Sequence, residues 1–335
     1  MLTFTLRRLL LAIPTLLVIS LVIFLLVDLA PGSPMSEIPL TVPPETRQKM
    51  IEALGADQPV IFRYFLWLRQ FFWVEPAYLF DGWFGTHWAE GEQRILSWQS
   101  RSPVFTIIGQ RIPQTLTVIG TAYLVGILIA VPIGIYSAYR QYSWFDQAGT
   151  LFAMIGFSVP TFFSGTLLII IFAVWLGWFP TKYDTQLHVT SWASFLQQVK
   201  QMALPVMTLG LANAAAISRY MRSSMLDNMG MDYVRTARAK GMTERTVVLK
   251  HVLRNSLIPV VTVIALGIPA IFGGAIITEN LFGVNGIGAA LIGAIHANDI
   301  PMVQTLAFIF AVLIVLFNLI ADVLYGLLDP RIRYD

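Results

Sequence analysis

Hydrophobic positions in this chain gather into six long runs, and the stretches between them carry most of the charge, proline and glycine. The first run, Leu9 to Val27, has 19 residues. As a helix it would extend about 28 Å at about 1.5 Å per residue, close to the hydrocarbon thickness of a bilayer. Thr115 to Ala138, Thr150 to Leu176, Met202 to Ser218, Leu257 to Thr278 and Met302 to Leu328 follow. The pattern predicts an all-α integral membrane protein with six transmembrane helices. Pro132, Pro160, Pro205 and Pro269 lie inside the runs, and spanning helices tolerate proline where neighbours satisfy the freed backbone groups. The Ala-rich Leu211 to Ala216 and the pair Gly273-Gly274 suit close helix contact. Arg7 and Arg8 before the first run also fit a signal peptide. The run is long, however, and Asp28-Leu29-Ala30 is a poor small-x-small cleavage site, which favours a helix.

The polar stretches divide the chain into residues 1–27 with the first helix, an extramembrane segment 28–113 on the outer side, and a core 114–335 with five helices. In the outer segment Pro44 to Ala53 and Val60 to Phe72 read as short helices, the second amphipathic with Phe62, Phe65, Leu66 and Arg69 at helical spacing. Its many aromatics suit interfacial anchoring more than a binding platform. The longest polar break between later runs is Asp232 to Arg254, DYVRTARAKGMTERTVVLKHVLR. Asp232 is a fair N-cap, Tyr233 to Lys240 lacks Gly and Pro, and Gly241 suits the left-handed position that ends a helix. A second helix is expected from about Thr243. Arg235, Arg238 and Lys240 make the first helix cationic and too polar to cross a bilayer.

Composition agrees, since 56% hydrophobic and 12% charged residues do not suit one soluble globule. Charge then supplies an orientation. With the N-terminus inside, thirteen of the 22 Lys and Arg fall in cytoplasmic segments, eight of them between Arg219 and Arg254. The short outer loops hold only Lys182 and Lys200, and the long first loop is discounted because long loops translocate largely regardless of charge. Both termini and 232–254 are therefore expected in the cytoplasm. The net charge of +3 is accounted for by this asymmetry, and nucleic-acid binding is not expected. There is no cysteine, which excludes disulfides, thiolate catalysis and Cys-ligated metal.

Catalytic and cofactor patterns do not emerge. His87, His188, His251 and His296 are scattered singly, so no metal site is expected. There is no GxxxxGK[ST] phosphate loop, GxSxG or HExxH, and Gly283-x-x-Gly286-x-Gly288 reads as a tight outer turn, not a dinucleotide fingerprint. No cofactor is expected on this chain. Runs two to five contain no charged residue, while Asp322 in the sixth, one turn from Asn318, lies near the cytoplasmic end. Charged groups inside a bilayer usually mark ion or proton paths. Their scarcity argues against a secondary transporter, the alternative of another class, and suits a passive conduit or scaffold whose energy comes from elsewhere.

Arg235-Thr236-Ala237-Arg238-Ala239-Lys240-Gly241 resembles the EAA-x-x-x-G signature of ABC-type importer membrane subunits, with Ala237 and Gly241 at the second Ala and the Gly. Along nearly its whole length the chain looks like the B-type permease of the dipeptide, oligopeptide and nickel importer family. Arg7-Arg8-Leu9-Leu10, Leu29-Ala30-Pro31-Gly32, Leu54-Gly55 through Asp57-Gln58-Pro59, and Arg111-Ile112-Pro113-Gln114-Thr115-Leu116 carry the likeness in the first half. The second half adds Thr236 to Gly241, His251-Val252-Leu253-Arg254-Asn255, Glu279-Asn280-Leu281-Phe282 through Gly286-Ile287-Gly288, and Leu328-Asp329-Pro330-Arg331-Ile332.

The resemblance implies a type I ABC importer permease fold in a bacterial inner membrane. It implies a second, homologous permease, two cytoplasmic ATPase subunits that bind the ATP, and a periplasmic or lipid-anchored substrate-binding protein. Arg235, Thr236, Ala237, Arg238, Lys240, Gly241 and Met242 would form the coupling element that docks on an ATPase. The signature Glu is replaced by Arg235, so a salt bridge made by that Glu in other importers does not carry over. Peptides are the substrate the resemblance implies first, with nickel or oligosaccharides as alternatives.

Overall fold

The computed structural model describes residues 2–29, 42–46, 48 and 58–328, with the backbone alone at 2–4, 270–275 and 325–328. The expected helix Pro44 to Ala53, the pair Gly273-Gly274 and the motifs after Leu29, at Leu54 and after Leu328 lie wholly or largely outside the described residues or side chains. Among the described residues the structure is helical, with no strand. α1 is Leu2–Asp28. Val60–Arg69, the π turn Gln70–Val74 and Glu75–Phe84 follow one another without a break as α2 (60–84). α3 is Val104–Tyr139, α4 Trp144–Ser158 and α5 Thr161–Trp175. α6 is Trp192–Met229 and α7 Asp232–Ala239. Glu244–Thr246, Val247–Val252 and Leu253–Phe282 form α8 (244–282), followed by α9, Ile287–His296, and α10, Ile300–Leu328.

Each of the six predicted runs lies on these helices. Among the described residues five helices are long and apolar enough to cross a membrane, or seven spans if each of two bent pairs counts as one. The helices overrun the hydrophobic runs that mark them: α6 has 38 residues, which at about 1.5 Å each makes roughly 57 Å, well beyond a hydrocarbon core. A Ser191/Ser194 capping box starts it.

The run Thr150 to Leu176 is not one helix. α4 and α5 meet at a bend of 107°. Val159 is extended there (φ −88°, ψ 123°), the conformation that a following proline enforces, and Pro160, which has no N–H to donate, stands at the N-cap of α5. Pro132, Pro205 and Pro269 remain inside helices. Both arms of the bend sit tightly on neighbours. A Cβ on Gly156 would lie 2.8 Å from Ala215 Cβ, and one on Gly165 would lie 3.3 Å from Thr208 Cγ2 and 2.6 Å from Leu281 Cδ2.

Contacts divide the chain into two compact units, one of Met1–Leu10, Gln114–Ala289 and Leu313–Asp335, the other of Leu11–Pro113 and Ala290–Val312. In the first, α3 and α6 pack through a seam of small residues. A Cβ on Gly126 would come within 2.9 Å of the Gly210 carbonyl oxygen, and one on Gly134 within 2.7 Å of that of Ser218. Glycine is therefore required for this approach, and Ala214 and Ala215 are buried on the same helix. Asp146 adds a polar tie, its carboxylate accepting both Nε (2.6 Å) and Nη2 (2.8 Å) of Arg222 from α6. Arg8 pairs with Asp322 at 2.9 Å, so this carboxylate has a cation of its own chain beside it.

The second unit has an aromatic core in which Trp67 and Phe71 of α2 meet Phe308 of α10 at ring-centroid distances of 5.3 and 4.9 Å. Its buried acids organise the connecting loop. Glu75 accepts from Arg94 (2.6 Å) and from the Ile95 amide (2.9 Å). Asp299, next to α10, accepts from the Ser97 hydroxyl and from the Trp98 amide (3.0 Å). The helix expected over Val60 to Phe72 continues to Phe84, with Phe62 and Phe65 exposed and Tyr64, Trp67 and Phe71 buried.

Candidate functional site

The polar stretch 232–254 folds as a short helix, a turn and the start of a long helix. α7 covers eight residues. Its N-cap is the extended Met231, without a side-chain cap, and Asp232 is the first helical residue and not the cap expected for it. Its carboxylate still stands in the first turn, where the unpaired amides favour negative charge. Gly241 takes φ +76°, a conformation that costs glycine little, and its amide donates to the Arg238 carbonyl at 2.9 Å. Thr243 is the N-cap of the helix that follows.

What holds α7 in place is apolar. Val234 is fully buried and Ala237 4% exposed, in one core cluster with Val247, Val248 and Val252 of α8 and Met221 and Met225 of α6. Beneath them Ser224 and Ser256 exchange hydrogen bonds between α6 and α8, each hydroxyl donating to the other's carbonyl at 2.9 and 3.2 Å. Small Ala237 thus serves the approach of α7 to its own chain. A second clamp closes the turn: Arg238 donates from Nη2 (2.7 Å) and Nε (3.1 Å) to the two oxygens of Glu244. These hydrogen bonds push the guanidinium pKa above its ordinary value and hold the Glu244 carboxyl below its own, so the pair is charged at neutral pH.

The outer surface of α7 presents Tyr233, Arg235, Thr236 and Lys240, with Gly241 and Met242 just beyond it, all exposed. Arg235 lies 3.5 Å from Asp232 at i, i+3, with both side chains largely in solvent. Such an exposed pair contributes little and leaves the guanidinium free to engage a partner. Of the seven predicted residues, six therefore sit on one rigid exposed knob, and Ala237 sits inside it. Sequence reasoning passed over Val234 and Glu244. The first was legible as an apolar residue three positions before Ala237 on a helix, the second only through the turn that brings it to Arg238.

A second polar site closes the other end of α8. Glu279 lies on the helix, one residue past the predicted run, and is fully buried, so α8 carries a buried acid at the edge of a stretch read as charge-free. Its carboxylate accepts from the Thr115 hydroxyl (2.5 Å) and from the amides of Gly288 (2.8 Å) and Ala289 (3.0 Å) at the start of α9. The Ile287 amide donates to Thr115 Oγ1 at 2.9 Å. α8 and α9 are bent by 85° across this turn, and Gly283 takes φ +72° at its start. A Cβ on Gly286 would fall on the Glu279 carboxylate, and one on Gly288 would lie 2.6 Å from Ile276 Cα. The glycine spacing is thus the shape of a carboxylate pocket filled by the chain itself. Among the described residues no group of three His, Asp or Glu side chains is placed to hold a metal ion.

The described residues thus form a set of long apolar helices that present a charged helix held in place by apolar contacts. The profile of the family described as "Binding-protein-dependent transport system inner membrane component" matches residues 130–334, and that family's N-terminal membrane component matches residues 1–119. The chain belongs to this family. It is 36% identical over 338 residues to the oligopeptide transport system permease protein AppB of Bacillus subtilis, covering 100% of both chains. It is 38% identical, with the same complete coverage, to the glutathione transport system permease protein GsiC of Salmonella typhimurium. A putative peptide transport system permease protein of Brucella abortus is 35% identical, with 98% of each chain covered. The crystal structure of an amino acid ABC transporter aligns with 66% of this chain and 94% of its own at 13% identity and a TM-score of 0.49. Family membership and the several helices of spanning length make the protein a multi-pass inner-membrane permease subunit of a binding-protein-dependent transport system.

Proposed function

We propose that this chain forms one half of the pathway of an ATP-driven importer of di- or oligopeptides. A homologous permease supplies the other half, two ATPase subunits act from the cytoplasm, and a soluble or lipid-anchored binding protein delivers the substrate. The end-to-end identity to oligopeptide and glutathione permeases carries this reading. The α7 knob supports the mechanical part: Arg235, Thr236, Lys240 and Met242 face a partner, while Val234, Ala237 and the Arg238–Glu244 clamp make α7 move with α6 and α8. A push on the knob then reaches two spanning helices instead of being lost in a hinge. Both termini and the knob lie in the cytoplasm on this reading, in line with the thirteen cations assigned to that side.

The test is uptake of a labelled oligopeptide by cells carrying the full complex. Uptake should stop on ATP depletion and survive collapse of the proton and sodium gradients; the reverse result would make this a secondary transporter. Since the chain has no cysteine, Met242→Cys reports the side directly. Labelling of intact cells by an impermeant maleimide would overturn both the topology and the docking role.

A further inference from the structure

The 28–113 segment contains a helix that does not behave as a solvent-exposed one. Tyr64 of α2 donates to the Leu17 carbonyl at 3.2 Å and shares a hydrogen bond with Ser20 Oγ at 2.8 Å. Leu17 and Ser20 are central in the apolar run Leu9 to Val27. Phe24 then meets the Tyr64 and Trp67 rings at 5.5 and 6.3 Å, and Asp28 at the end of α1 pairs with Arg63 at 2.6 Å. From Leu17 to Asp28 is about 16 Å of helix, roughly half of a hydrocarbon core. The first turns of α2 therefore lie against one half of a spanning helix. Phe308, six residues into the last apolar run, packs on the same α2 face from α10.

α2 also carries Ile61, Phe62, Phe65, Phe72 and Trp73, each more than half exposed, with the Phe72 ring reaching Phe308 at 5.8 Å. α1 likewise exposes Val18, Val22 and Leu26. Every charge on α2 is matched within the chain: Arg63 by Asp28, Arg69 by Glu92 at 2.5 Å, Glu75 by Arg94, and Asp81 by the Thr86 hydroxyl and the amides of Trp88 and Ala89. Internal matching of this kind is what a low-dielectric surrounding demands. At the far end Phe80, Trp83, Phe84 and Trp88 form an exposed aromatic cluster, the composition found where a membrane surface meets water.

We propose that α2 is embedded in one leaflet of the bilayer, the outer one under the topology proposed above. Acyl chains cover Ile61, Phe62, Phe65, Phe72 and Trp73, and the Phe80 to Trp88 tip sits among the headgroups. α2 then thickens the membrane-embedded body around α1 and fixes the height of the following loop.

Single cysteines at Phe65 and Trp73, spin-labelled in the full chain in nanodiscs of phosphatidylethanolamine and phosphatidylglycerol, test this through collisions with oxygen and with a water-soluble nickel chelate. The oxygen-to-nickel ratio at both sites should match that of Val18→Cys and exceed that of Gln186→Cys several-fold, with Trp88→Cys in between. A ratio at Phe65 and Trp73 like that of Gln186 would overturn the proposal in favour of water. Protection from both reagents would overturn it in favour of a covering protein, and its appearance only with the partner permease would name that protein. The readout does not depend on which leaflet holds α2, so it stands apart from the Met242 test of topology.

Discussion

The two ends of α8 handle charge in opposite ways. Just before its start, on α7 and the turn after it, the charged residues Asp232, Arg235 and Lys240 stand outside and apolar side chains, Val234 and Ala237, form the anchor. At its end one carboxylate, Glu279, is the anchor and the chain closes over it with Gly286 and Gly288. Both ends carry family motifs, yet only the first leaves its charge available to another molecule. A polar motif in a membrane protein can thus be a surface for a partner or an internal strut, and burial separates the two.

The largest effects should fall on the buried end. Gly288→Val drives a side chain into the backbone of Ile276, and no well-folded protein should elute from size exclusion. Glu279→Ala leaves the Thr115 hydroxyl and two amides without their acceptor, at about 1–3 kcal/mol for each buried group left unsatisfied. A large fall in thermal midpoint is expected, and an unchanged midpoint for either variant would remove the strut. At the exposed end, Gly241→Pro cannot adopt the positive φ or keep the amide hydrogen bond to Arg238. Ala237→Trp overfills the site under α7 by about 1–3 kcal/mol. Both should abolish ATP-dependent uptake with the protein still inserted, and uptake at the wild-type rate in either would break the contrast.

Smaller effects sharpen it. A double-mutant cycle on Arg238→Ala and Glu244→Ala should give a coupling of about 0.2–1 kcal/mol, as for other exposed pairs. Arg235→Ala should change the stability of the chain by no more than about 0.5 kcal/mol. Any loss of uptake in that variant then measures contact with the partner, and a large loss of stability would make Arg235 a strut like Glu279. The smallest effect concerns Asp81, whose carboxyl is held below the usual aspartate range mainly by the Thr86 hydroxyl, with the Ala89 and Trp88 amides adding to it. Because the folded pKa is the lower one, the stabilisation is present above the ordinary aspartate pKa and is lost as pH falls through the depressed value. Once intrinsic rates are corrected for, amide exchange at Trp88 and Ala89 should lose protection only in that acid range; protection constant through it would remove the tie.

The sequence alone was enough for the features that local pattern controls. An unbroken apolar run must find lipid or a core, so the six runs marked helices. A glycine ending a polar helix needs no tertiary help to turn left-handed, and Gly241 does so at φ +76°. Ordered motifs at Thr236 to Gly241 and Glu279 to Gly288 carried the family likeness. Tertiary structure decided which prolines interrupt and which charges hide. Pro160 breaks its run while Pro132, Pro205 and Pro269 do not, although all four lack the same amide hydrogen. The arms around Pro160 are seated separately through Gly156 and Gly165. Glu279 counts as one more loop acid until Thr115, 164 positions away, and the first amides of α9 surround it. Glu244 looks like any acid opening a helix until the turn at Gly241 brings it to Arg238. In each case the deciding partner is distant in the chain or set by a turn, and for Glu279 burial makes the pairing obligatory.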